Sequence, residues 1–245
     1  MKTNKTTTLT MRITTRITTM ITTTAITTIM AIAILITAIT TITTTTTITS
    51  KTPTMTTMPF LKTNMLLGFF AGIIFKLMYF GREALGSQGI KVNVLPRMHD
   101  FINNNGPWSQ LVKLGNIDLN MINFRDNIEI NPRLSVVPLQ VPHRDEFSET
   151  AAFLIKGPNK TALYLPDIDK WSKWSVSLIE ILKNVDYAFI DATFYTNDEI
   201  NRDIDEIPHP LVIETMDLLS ELPDYQRDKV YFIHMNHTNQ MLDPN

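Results

Sequence analysis

Three short segments, far apart in the chain, each set a histidine or an aspartate just past a β-rich apolar run. They are Val141-Pro142-His143-Arg144-Asp145-Glu146, Leu165-Pro166-Asp167-Ile168-Asp169 and Ile233-His234-Met235-Asn236-His237-Thr238-Asn239. A sheet whose strands end at a common rim is the arrangement that brings such residues together. Neutral imidazole and carboxylate at one rim suit zinc, iron or manganese. A strand-end histidine is more commonly a hydrogen-bonded structural residue, so the spacing alone leaves both readings open.

The charge pattern narrows the partners. No Asp or Glu occurs before Glu83, and five of the 22 Lys and Arg lie before Pro59. The remainder carries 17 basic residues against 24 acidic ones, a formal excess of seven negative charges. An acidic body without a Lys/Arg cluster argues against nucleic acid, whose phosphates need clustered cations. Cysteine is absent. That excludes disulfides, thiolate ligands and a cysteine nucleophile, and leaves the compartment open between cytoplasm and export.

Residues 1–58 are low in complexity, mostly Thr and Ile, with Ile-Thr-Thr recurring from Ile13 to Ile29. β-branched residues make poor helices, and a tract this biased cannot specify a packed core. Three readings stand side by side: a disordered or artefactual leader, a secretory signal with Ile29–Ile36 as its apolar stretch, or a membrane anchor. Residues 59–245 read as the folded part. Met65–Leu85 is expected to be a buried helix. Strands are expected at Ile90–Leu95, Ile117–Ile122, Ile128–Ile130, Leu134–Val141, Thr150–Ile155 and Ala162–Leu165, with a short helix over Arg97–Asn103. Beyond Asp167 the pattern alternates: a helix over Trp171–Leu182 with Asp169 as its N-cap, a strand over Val185–Ile190, a helix over Leu211–Leu222 and a strand over Lys229–Ile233. Strand after strand, then helix and strand in turn, indicate an α+β domain with helices covering a sheet sandwich.

The chemistry-bearing candidates follow from these strand ends. His143 follows the strand ending at Val141, Asp167 the strand ending at Leu165, and His237 the strand ending at Ile233. Asp191 ends its strand and serves either as a catalytic carboxylate or as a turn closer. His209, between Pro208 and Pro210, sits in a rigid loop. Asp169 reads as a cap, and the Trp171/Trp174 pair as core packing. A metal held by such groups lowers the pKa of bound water to roughly 7 and supplies a nucleophile.

Several stretches together resemble a known family. They are Met78–Gly86, Asn104–Val112, Val141–Thr150, Leu165–Trp171, Ile207-Pro208-His209-Pro210 and Ile233–Asn239, which run in order from Leu77 to Asn245. The set resembles the coenzyme PQQ synthesis protein B (PqqB) group of the metallo-β-lactamase-fold superfamily. The resemblance implies an αββα sandwich with a divalent metal, zinc or iron, at one rim. It implies that His143 is a ligand, Asp167 the metal-bridging and catalytic aspartate, and His237 the last ligand, with His234 and His209 ranked behind it. It further implies a metal-dependent hydrolase or oxygenase linked to pyrroloquinoline quinone biosynthesis, acting on a small-molecule or peptide-derived substrate.

One departure accompanies the resemblance. The family's first ligand cluster, His-x-His-x-x-His, would fall near Gly68, Phe70 and Ile73, and this chain has no histidine there. The family's first strands are replaced by the Thr/Ile tract. The expectation is therefore a partial αββα domain lacking its first strands. Two alternatives follow: a non-catalytic remnant or mispredicted fragment of such an enzyme, or a protein tethered to a membrane through its N-terminal tract.

Overall fold

The computed structural model describes residues 65–67, 77–199 and 206–243. Its first sheet is parallel throughout. β1 (Met65–Leu67), β2 (Ile90–Val94) and β3 (Ile117–Met121) pair in that order. Two helices lie between β2 and β3. α1 (Pro96–Asn104) opens on a proline whose missing N–H costs nothing at a helix start. α2 (Trp108–Lys113) closes at Gly115, whose φ of 69° gives the left-handed exit that ends a helix. The same glycine accepts from the amide of Gly89 at 2.8 Å, which joins the two turns leading into β2 and β3.

The second sheet has six strands in sequence order: β4 (Ile128–Asn131), β5 (Leu134–Gln140), β6 (Ala151–Lys156), β7 (Thr161–Leu165), β8 (Tyr187–Asp191) and β9 (Val230–Ile233). The first three junctions, β4 to β7, are antiparallel; β7, β8 and β9 are mutually parallel. β5 is two antiparallel steps from β7 and so runs the same way. The C-terminal ends of β5, β7, β8 and β9 therefore meet at one rim.

Side-chain alternation assigns the faces. In β6, Ala151 and Phe153 pack with Leu95, Ile122 and Val136 between the sheets, while Ala152 points outward. The outward face carries Leu163, Leu165, Ala188 and Ile190 under Trp174, Leu178 and Leu182. α3 (Leu178–Asn184) supplies two of these, and Ser177 caps it by accepting from the amide of Glu180. On the first sheet, Val92, Val94 and Ile117 face Met98, Ile102 and Leu111 of α1 and α2. The order of layers is helix, sheet, sheet, helix, as the αββα expectation required. α4 (Val212–Leu218) and α5 (Asp224–Arg227) precede β9.

Three expectations change. Met65–Leu67 is a strand paired with Val92–Val94, not the start of a helix, and Leu77–Phe80 is a single 3-10 turn. A short apolar run fits either element, and here pairing with β2 decides it. The helix expected over Trp171–Leu182 splits into a 3-10 turn at Trp171–Lys173 and α3, so Ser177 and not Asp169 is its cap. Asp169 instead accepts from the Lys170 amide at 2.7 Å and pairs with Lys173 at 2.8 Å. α2 and α5 are helices where none was expected. No helix among the described residues is long and apolar enough to cross a membrane. The Thr/Ile tract, with its signal and anchor readings, and Gly68, Phe70 and Ile73 lie outside the described residues.

Leu163 has no exposure and lies at the centre of the outward core. Leu163→Ala is expected to cost about 2–5 kcal/mol, the range for a leucine truncated in a packed core. A lowered urea midpoint with an unchanged slope is the expected reading; an unchanged midpoint would contradict the core assignment.

Candidate metal centre

The shared rim collects the polar residues. His143 follows β5, Asp167 follows β7, Asp191 ends β8 and His234 follows β9. His209 comes from the Pro-flanked loop before α4. His143 Nε2 lies 3.1 Å from Asp167 Oδ1, and His209 Nδ1 lies 3.4 Å from the same oxygen. The two imidazole rings are tilted, with centroids 5.1 Å apart. His143, Asp167 and His209 each offer one ligand atom within 4.8 Å of the others, and so do Asp167, Asp191 and His234.

Two buried atoms of the first group lack a hydrogen bond among the described residues: Asp167 Oδ1 and His143 Nδ1. A buried polar atom without a partner is costly. A carboxylate oxygen facing two ring nitrogens is a coordination pocket in its donor types, so the residues fit a divalent cation. Asp191 differs. It has no exposed side-chain surface, and both oxygens are occupied. Oδ1 accepts from the Thr193 amide at 2.8 Å and its hydroxyl at 2.6 Å; Oδ2 lies 2.7 Å from His209 Nδ1 and 3.2 Å from the Ile168 amide. Asp191 thus aims the His209 ring, as outer carboxylates commonly aim metal-ligating histidines.

The surroundings set the protonation tendencies. Burial pushes Asp167 up to about 6, and Asp191 adds to this, against the opposing pull of His143 and His209. Desolvation works to lower His209, but its hydrogen bond to Asp191 and the charges of Asp191, Asp167 and Asp169 outweigh it and hold His209 above the ordinary imidazole value. Desolvation lowers His234, with His209 acting in the same direction against Asp191 and the Pro166 backbone.

The structure brings together His143, Asp167, His209, Asp191 and His234. It does not bring His237 into the group: that residue is exposed in a turn, with Nδ1 3.0 Å from Asn236 Oδ1. His234, immediately after β9, adopts a left-handed backbone at φ 63° and offers a ligand atom near Asp167 and Asp191. A left-handed non-glycine residue is uncommon, and strand-end spacing does not reveal it. Thr193, whose hydroxyl lies 3.2 Å from both His209 Nδ1 and His234 Nδ1, was missed. Its position two residues past the strand-end Asp191 was the only available signal.

A family model for the beta-lactamase superfamily domain matches residues 82–235, more than half of the chain. No curated protein matches the chain. Among solved structures, it is similar to zinc-bound PqqB from Methylobacterium extorquens, with TM-score 0.56 and 15% identity over 74% of this chain and 65% of that one. It is also similar to unliganded yeast PDE1, with TM-score 0.52 and 12% identity over 75% of this chain and 60% of that one. The chain thus spans less than two thirds of the length of either. At these identities the likeness concerns the fold.

In the metal-free protein, Asp167 is expected to titrate near pH 6, read by carboxyl carbon NMR. Its folded value lies above the unfolded one, so the folded state keeps the proton longer. Its contribution to stability is full below the unfolded value of 3.8 and lost as pH rises through about 6. Asp167→Asn should flatten that part of the stability profile. An Asp167 titration at the ordinary carboxylate value would remove the electrostatic picture of the site.

Proposed function

The chain belongs to the beta-lactamase superfamily, and on that premise we propose that it holds one divalent metal, zinc or iron, at the rim through His143, Asp167 and His209. The observation that carries this reading is the buried Asp167 Oδ1, which has no hydrogen bond and faces two imidazole nitrogens. Two histidines and a carboxylate are a ligand set used by catalytic zinc and by mononuclear non-haem iron. A metal so held would act as a Lewis acid and lower the pKa of a bound water. Asp191 holds the His209 ring through Nδ1, the same nitrogen that lies 3.4 Å from Asp167 Oδ1, and so fixes the ring beside that oxygen. Asp167 supplies the negative charge that favours a cation at this point. Ligands of this kind must be deprotonated, so metal binding should oppose the high tendency of Asp167 to keep its proton.

The activity we propose is that of a metal-dependent hydrolase or oxygenase acting on a small-molecule or peptide-derived substrate. Resemblance to the PqqB group adds a proposed link to pyrroloquinoline quinone formation, as oxidation of a tyrosine-derived precursor. A second reading, metal binding without turnover, is favoured by one observation. Gly68, Phe70 and Ile73 stand where the family's first histidine cluster is expected, and none offers a ligand atom.

The full-length protein, stripped with chelator and titrated with zinc and with ferrous iron in separate calorimetric experiments, tests the metal reading. One equivalent is expected to bind. His143→Ala and Asp167→Ala should each weaken binding at least tenfold, and His237→Ala should leave it unchanged. If neither metal binds the wild-type protein, the reading is lost. Zinc-loaded protein assayed on activated esters and phosphodiesters, and iron-loaded protein assayed for oxygen uptake with a tyrosine-derived substrate, separate the activities; silence in both favours binding without turnover.

A further inference from the structure

We propose that Arg97, an exposed residue in the first turn of α1, is a positioning residue for the His143 ligand; the proposal rests on the metal-binding reading above. The segment Asp145–Glu149 leads away from His143, and Arg97 ties both of its ends. Its guanidinium nitrogen Nη2 donates to the carbonyl of Asp145 and, at 3.3 Å, to that of Glu146. Its backbone amide donates to Glu149 Oε1 at 3.0 Å and Oε2 at 3.2 Å. That amide is one of the N–H groups a helix leaves without an internal partner at its start, which a carboxylate satisfies well.

Further contacts close the clasp. Thr150 Oγ1 donates to Asp145 Oδ1 at 3.1 Å. The ring of Phe147 meets Phe101 of α1 edge-on, with centroids 5.8 Å apart. On the opposite side of His143, the Asp169 amide donates to the Pro142 carbonyl at 2.7 Å. The ligand loop is thus held between α1, which covers the first sheet, and the loop that carries Asp167. The guanidinium ties the loop two residues past His143. Arg97 acts through backbone carbonyls, so it positions His143 rather than binding metal. Both guanidinium bonds come from the one nitrogen Nη2, so a lysine ammonium on its shorter stem can replace them only in part.

Two readouts on the full-length protein test this. In metal-free protein, side-chain nitrogen NMR resolves the histidine rings, with the His143 signal identified by its loss in His143→Ala. Arg97→Ala is expected to shift or broaden the His143 signal and leave that of His237 in place. In zinc titration, Arg97→Ala is expected to weaken affinity about 10–100-fold, the range for outer-shell partners of metal ligands, at unchanged stoichiometry. Arg97→Lys should fall between it and wild type. In the His143→Ala background, Arg97→Ala should bring no further loss. Should Arg97→Ala not fold, Arg97→Lys carries the same comparison. An unmoved His143 signal overturns the proposal, as does an equal loss of zinc affinity with and without His143. If wild-type protein takes up no zinc, the metal reading fails on its own, and the NMR comparison alone decides the role of Arg97.

Discussion

The Asp191 carboxylate has no contact with water, so its lone pairs must be met from within the protein, and the way they are met organises the rim. A buried carboxylate is tolerated only when its oxygens are hydrogen-bonded. The Thr193 amide and hydroxyl bond one oxygen; the Ile168 amide and the His209 ring meet the other. Each of these partners belongs to a different piece of the site. Ile168 fixes the loop next to Asp167. Thr193 stands between His209 and His234. Removing this one carboxylate would release three elements at once, so Asp191 is better understood as the keystone of the group than as one of its ligands. Asp167 differs, since its buried Oδ1 has no hydrogen bond among the described residues.

The parallel run of β7, β8 and β9 makes this geometry possible. Parallel neighbours put successive C-terminal ends side by side, so Asp167, Asp191 and His234 come to one rim with no long reach by any side chain. β5 joins them only because two antiparallel turns restore its direction. Helix packing on the outward face then locks the loops in place. Trp174 Nε1 donates to the Gln140 carbonyl at 2.8 Å, close to His143, and Trp171 Nε1 donates to Thr215 Oγ1 at 2.9 Å. The tryptophan pair, read from sequence as core packing, thus also ties the loop after Asp167 to β5 and to α4. Lys170 extends the same tie through Glu214 at 3.1 Å.

What could be read from the sequence tracks how local the deciding physics is. His143 and Asp167 were visible because an apolar strand followed by proline and a polar residue is a local pattern, and the sheet rim follows from it. Strands β2 to β9 were visible for the same reason. Met65–Leu67 was not, because a short apolar run carries no period and becomes a strand only through its register with Val92–Val94. The division of Trp171–Leu182 was hidden for a related cause: its apolar spacing is helical throughout, but Ser177 captures the Glu180 amide and starts the helix there. The bonds joining Arg97 to the His143 loop connect residues about fifty positions apart, and no sequence pattern announces them.

His234 shows how the rim tolerates strain. A non-glycine residue at φ 63° costs on the order of 1 kcal/mol or more and persists only where its neighbours over-determine it. Here they do. The Ala192 amide donates to the Ile233 carbonyl at 2.8 Å, and the Asn236 amide to the Thr193 carbonyl at 3.0 Å, so the chain is pinned on both sides of His234. Asn239, itself buried, donates to the Ala192 carbonyl at 2.6 Å from the far side of the turn. These bonds hold the residues after β9 against those after β8, and the left-handed turn directs the His234 ring toward Thr193 and Asp191. His237 lies between the pinned Asn236 and Asn239 and is exposed, with Nδ1 3.0 Å from Asn236 Oδ1.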